Sequence, residues 1–121
     1  MRIAYVTLDD VNRFVVQRWA GRGRFQLDGP AANQPHARLD AAGAVILDLD
    51  HLPAPFRAAW LARILNDALA GRALVHGYNI ADADAAALRR RGVRVCRGRL
   101  RRGFFFAWLG ELRRTDRSVK V

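Results

Sequence analysis

The chain reads as an α/β protein built on a five-stranded parallel sheet in the order 2-1-3-4-5, doubly wound, with helices on both faces in three layers. Three observations predict it. Strand-like and helix-like segments alternate along 121 residues, a length that suits one domain around a single core. Two strand-like runs, residues 3–8 and 44–47, are nearly unbroken in apolar residues, as strands covered on both faces are. Two others, Phe25-Gln26-Leu27 and Val93-Arg94-Val95, alternate, which suits edge strands. With strands one, three and four inside, the order follows.

Each element has a local reason. After the first strand, Asp10 is placed to cap a helix whose apolar residues Val11, Phe14, Val15 and Trp19 recur at helical spacing, ending near Gly21 and Gly23. Phe25–Leu27 is the second strand. Gly29-Pro30 then turns the chain into an Ala-rich stretch to about Leu39, read as a short helix broken by Pro35. Pro53 and Pro55 open the clearest helix, in which Phe56, Trp60, Ile64, Leu61, Leu65 and Leu69 share one face and Gly71 lies just past the end. The strand Ala73–His76 follows. Asp82 and Asp84 begin a helix that finishes in Arg89-Arg90-Arg91 before Gly92, acids at its positive end and bases at its negative end. Val93–Val95 is the fifth strand, and Phe104–Leu112 the last helix, with residues 113–121 as a basic C-terminal tail beyond a domain of residues 1–112.

Charge is distributed unevenly. Residues 1–88 carry nine basic and nine acidic groups, whereas residues 89–121 carry twelve basic groups against Glu111 and Asp116, so the whole surplus of +10 lies in the last quarter. That asymmetry points to an anionic partner or a solvated face. Arg89, Arg90, Arg91, Arg94, Arg101 and Arg102, with Phe105 and Trp108, form the candidate interaction surface. The partners it suits are a protein, a second copy of the chain, or nucleic acid. A lone cysteine, Cys96, excludes an internal disulfide. No apolar run approaches membrane-spanning length and no leader pattern opens the chain, so no membrane is expected and the location expected is cytoplasmic.

The first strand runs into Asp9-Asp10 and the third into Asp48. In this strand order the two ends are neighbours at the point where the winding reverses, where open parallel sheets bind ligands. Three converging carboxylates, Asp9, Asp10 and Asp48, suit a hard cation such as Mg²⁺. The bland reading of the same residues is a helix cap, a surface acid and a strand-end turn.

On Leu8-Asp9-Asp10-Val11-Asn12-Arg13, Ile46-Leu47-Asp48-Leu49 and the five strand–helix units, the chain resembles the receiver domain of bacterial two-component response regulators, a flavodoxin-like fold, over essentially its full length. The resemblance implies that Asp9, Asp10 and Asp48 hold Mg²⁺ and that Asp48 accepts a phosphoryl group. It also shows departures. Receivers place Ser or Thr at the end of strand four, and none occurs here between Thr7 and Thr115. They end strand five in Lys, where this chain has Arg97 or Cys96; the only Lys is Lys120. Guanidinium is a rigid fork, not a compact ammonium. With Arg97 leaning into the acids in the metal's place, the expectation is weak Mg²⁺ binding. The chain is then expected to be a degenerate pseudo-receiver that signals by protein binding rather than by phosphorylation, and not an enzyme.

Two alternatives come from other classes. Ala44–Leu47 followed by Asp48-Leu49-Asp50 resembles the first motif of haloacid-dehalogenase-type phosphotransferases, with Asp48 as nucleophile and Asp50 as general acid. That family's following small residue and Thr are replaced by His51-Leu52. A nucleic-acid-binding module would use the basic residues 89–121, without a recognised binding motif. His36, His51 and His76 lack metal-ligand spacing, and Cys96 reads as a small buried hydrophobe.

Overall fold

A computed structural model describes residues 1–29, 32–39, 41–66 and 68–119, the last five by their backbone alone. The elements are β1 (Arg2–Val6), α1 (Asp10–Arg22), β2 (Gln26–Asp28), β3 (Ala44–Asp48), α2 (Ala54–Asn66), β4 (Ala73–Gly77), α3 (Asp82–Arg90), β5 (Arg94–Arg97) and α4 (Arg102–Val119), with 3₁₀ turns at Leu49–His51 and Ala68–Arg72. All strand pairs are parallel, in the order β2-β1-β3-β4-β5. This is a doubly wound, flavodoxin-like sheet.

The near-continuous apolar strands divide their side chains between two cores, because successive residues of a strand point to opposite faces. Ala4, Val6, Val45, Leu47 and Val75 face Trp60 and Ile64 of α2 and Ala85 and Leu88 of α3. Ile3, Tyr5, Ala44, Ile46 and Leu74 face Val16 and Ala20 of α1 and Phe105, Trp108 and Leu109 of α4. Each large apolar side chain fully buried here contributes about 1.5–3 kcal/mol. Two helices cover each face of the sheet.

Four local expectations are corrected. The cap of α1 is Asp9, whose side chain accepts from the Val11 amide, and Asp10 is the first helical residue. Residues 32–39 form turns rather than a helix; Pro30, Ala31 and Asp40 of that stretch lie outside the described residues. The turns are held by α2 instead: Trp60 Nε1 donates to Ala32 O at 2.8 Å, and Arg63 donates to Pro35 O at 2.9 Å and to Ala37 O. Proline at 35 removes a helical donor, and carbonyls engaged by α2 cannot serve a helix of their own. The α2 helix ends at Asn66, so Leu69 and Gly71 sit in the 3₁₀ turn that follows. The last helix runs past Leu112 through Val119, continuing over residues expected as tail; Lys120 lies outside the described residues.

Some glycines are required by contact and others by conformation. At Gly23 a Cβ would stand 2.4 Å from the Phe25 ring, and the left-handed position after α1 is taken by its neighbour Arg24, at φ 62°. Gly98, at φ 134°, turns the chain out of β5 and its amide donates to Gly77 O at 2.8 Å.

Candidate functional site

β1, β3 and β4 stop at one edge of the sheet, and each delivers a polar residue there: Thr7, Asp48 and His76. These are the buried polar or charged side chains among the described residues, apart from the phenol of Tyr5. Their convergence follows from register. Val6 pairs with Leu47, which sets Thr7 next to Asp48, and Asp48 itself pairs with His76.

Asp48 is 1 % exposed. Its Oδ2 accepts from Thr7 Oγ1 at 2.7 Å, from Asn12 Nδ2 at 2.9 Å and from His51 Nδ1 at 2.8 Å. A carboxylate has no proton to give, so His51 carries its proton on Nδ1. Thr7 is fixed in turn, because its Oγ1 accepts from the Asp9 amide at 3.0 Å. On the other side, Asp48 Oδ1 lies 4.0 Å from His76 Nδ1. A buried carboxylate survives only with partners such as these.

His76 faces Tyr5 across the inner strands, with 2.9 Å between Nε2 and the phenol oxygen. Burial pushes the His76 imidazole below its ordinary range, against the opposing pull of Asp48 and Asp50, and burial pushes the Tyr5 phenol upward. Both groups are therefore neutral, and they share one hydrogen bond between the phenol oxygen and Nε2. Tyr5, His76 and Asp48 form one polar line on the face of the sheet that α1 and α4 cover.

The remaining expected residues have other employment. Asp9 lies 4.0 Å from His51 Nε2, so the imidazole bridges Asp9 and Asp48. Asp10 is exposed on α1 and joins no described contact. Asp50 accepts from the Tyr78 amide at 2.6 Å and the Asn79 amide at 3.0 Å, holding the loop after β4. Gly77 permits it, since a Cβ there would stand 2.9 Å from Asp50 Oδ1. Both oxygens of Asp50 are thus committed to backbone.

Two expectations about the charged quarter are corrected. Arg97 does not lean into the acids: its guanidinium donates to Asp82 Oδ1 at 2.6 Å and to Ile80 O, because the nearest acceptors for the end of β5 are the first turn of α3 and the loop before it. Phe105 and Trp108 are not surface residues; they point from α4 into the core it shares with α1, while Phe104 and Phe106 are half-buried beside them. Arg89, Arg90, Arg91, Arg94, Arg101 and Arg102 are exposed, and Arg94 pairs with Glu111. Cys96 is half-buried, with burial pushing its thiol up.

For Mg²⁺ the arrangement fits poorly. A hard cation needs oxygens free to coordinate, and Asp48 Oδ2 already accepts three hydrogen bonds while Oδ1 is turned toward His76. Among the described residues, no three His, Cys, Asp or Glu side chains are placed to hold a metal ion. No described helix is long and apolar enough to cross a membrane.

The residues that sequence reasoning missed are Thr7, Asn12, His51, His76 and Tyr5. A signal existed for two of them: once β1, β3 and β4 are neighbours, polar residues at their ends must meet, which brings in Thr7 and His76. Nothing in the sequence marked the 3₁₀ turn that returns His51 to Asp48. Comparison of the chain with protein-family models and with curated proteins finds no match.

Proposed function

We propose that the chain is a receiver-like signalling domain that acts by binding a protein partner, without phosphorylation as its switch. One observation carries this reading: the carboxylate at the acceptor position, Asp48, is buried with its Oδ2 held by Thr7, Asn12 and His51. An acceptor must offer an oxygen to phosphorus and a metal beside it. Its Oδ2 offers neither without giving up the hydrogen bonds from Thr7, Asn12 and His51, of which the buried Thr7 donor would be left unsatisfied at about 1–3 kcal/mol. The cation at the end of β5 is committed to Asp82, so it adds no support for a phosphoryl group.

A ligand shifts a population only by binding two states differently. With no such difference available at Asp48, the output surface is constitutive, on α3, β5 and the start of α4. Beryllofluoride with Mg²⁺, the stable mimic of an aspartyl phosphate, tests this directly. Amide shifts in α3 and β5 are expected to stay where they are in the untreated protein. Saturable movement of those signals would make the chain a working phospho-receiver. Once a partner is in hand, Arg89→Glu with Arg90→Glu is expected to weaken binding about tenfold or more, while Asp48→Asn leaves it nearly unchanged.

A further inference from the structure

From the whole molecule the geometry points to a binding site for a small amphipathic organic anion, in the cleft between α1 and the segment joining β5 to α4. The cleft encloses about 480 Å³, within the range of about 300–1,000 Å³ that small-molecule sites occupy. Its parts differ in chemistry by position. Val11, Val15, Val16 and Trp19 of α1 and Leu100 form apolar walls; Tyr5, His76 and Asn12 are polar groups at the bottom; Arg99, Arg101 and Arg102 stand at the rim.

The rim is what calls for an anion. Arg99, Arg101 and Arg102 are exposed, and among the described residues no carboxylate pairs with any of them. They also surround the start of α4, whose first turn contains no acid. The helix N-terminus already carries about half a positive charge, so a triplet of cations there is an arrangement that ordinary helices avoid. Among the described residues no acid offsets that repulsion, and only Arg102 has an aromatic face beside it, the Phe106 ring at 5.8 Å. A bound anion would offset the repulsion, and bidentate guanidinium contacts suit carboxylate and phosphate alike.

The walls select against a bare inorganic ion. Val11 is 68 % exposed and Val15 37 % exposed, apolar surface that a ligand body would cover. Trp19 offers an aromatic flank, and Phe14 and Leu8 continue the apolar strip outside the cleft. The occupant that matches is therefore an aryl or branched alkyl group bearing one carboxylate or phosphate. Arg99 and Arg101 hold its head, and its body lies against α1. The site lies beside the Asp48 network and does not depend on the receiver-like reading.

The test is a fluorescence titration of the full chain, since Trp19 lines the cleft, with phenyl phosphate and benzoate as probes and inorganic phosphate, benzyl alcohol and a short DNA duplex as comparisons. Either aryl anion is expected to saturate about tenfold more tightly than inorganic phosphate or benzyl alcohol, and which one wins identifies the head group. Arg99→Glu with Arg101→Glu is expected to weaken that binding about tenfold or more, and Val15→Arg to block it, with amide signals showing both variants folded. No saturable change at about 10 mM aryl anion overturns the proposal. So does inorganic phosphate binding as tightly as phenyl phosphate, or binding that survives the arginine reversals. Duplex displacing the aryl anion with steep salt dependence would assign the rim to nucleic acid instead.

Discussion

The Asp48 network and the arginine-rimmed cleft share Tyr5, His76 and Asn12, yet they treat charge in opposite ways. At Asp48 a single buried carboxylate is met by three donors. At the rim, three exposed guanidinium groups and a helix N-terminus meet no acid among the described residues. The difference separates structure from binding. Where a buried oxygen is already met by three donors inside the fold, a ligand must displace something; where like charges are left together, a ligand of opposite sign removes a cost.

The largest expected effect comes from breaking the closed side. Asp48→Ala removes the acceptor of Thr7, Asn12 and His51 together and is expected to cost about 3 kcal/mol or more in urea unfolding. Asp48→Asn keeps the shape and is expected to cost about 1–2 kcal/mol. If Asp48→Ala were neutral, the network would be exchangeable and the Asp48 end open to ligands after all.

Acid probes the same side through His76. Its pKa is lowered in the folded protein by burial, whereas the unfolded chain titrates near the ordinary value of about 6.5. Between those two values the unfolded state binds the extra proton. Stability is therefore fully present above about pH 6.5 and is expected to fall as the pH drops below it, toward the lowered folded value. Thermal midpoints measured from pH 8 to 5 check this, and His76→Gln is expected to flatten the profile while lowering the plateau, because Tyr5 loses its imidazole partner. Asp48, Asp50 and His51 face the imidazole, so the difference between the two profiles is the quantity to read.

The smallest effect sharpens the open side, and its sign is the informative part. Arg101 accepts the first helical bond of α4 at its carbonyl, from Phe105 N, and so occupies the cap position. Arg101→Asp supplies a capping oxygen and a charge of the favoured sign, and is expected to raise stability by about 1 kcal/mol. A gain in the unliganded protein would mean that Arg101 is kept at a cost, as a ligand-binding residue is. A loss would mean that the rim is part of the scaffold.

How much could be read in advance depended on how local the cause was. The sheet order was legible because burial on two faces leaves an unbroken apolar run and burial on one leaves alternation, as β3 and β2 show. The positions of Asp9 and Asp48 at neighbouring strand ends followed from that order. The turns at residues 32–39 were not legible, since Trp60 and Arg63 hold them from 28 or 26 residues away. Nor was the orientation of Arg97, which a one-dimensional match set against the acids and which the fold turns to Asp82. Phe105 and Trp108 lay on a helix apolar around more than one face, and only packing against α1 and the sheet decided that both go inside.

By itself the sequence determined the five strands and four of its five helical segments, which strands are central, and that the positive surplus lies at the end of the chain. These are matters of periodicity and composition, set by neighbours within a few residues. Tertiary structure alone decided which polar groups become partners. Thr7, Asn12 and His51 donate to one carboxylate from the end of β1, from α1 and from the turn after β3, with His76 of β4 beside it, and hydrogen bonds depend on distance and direction to within a fraction of an ångström. No spacing along the sequence carries that information.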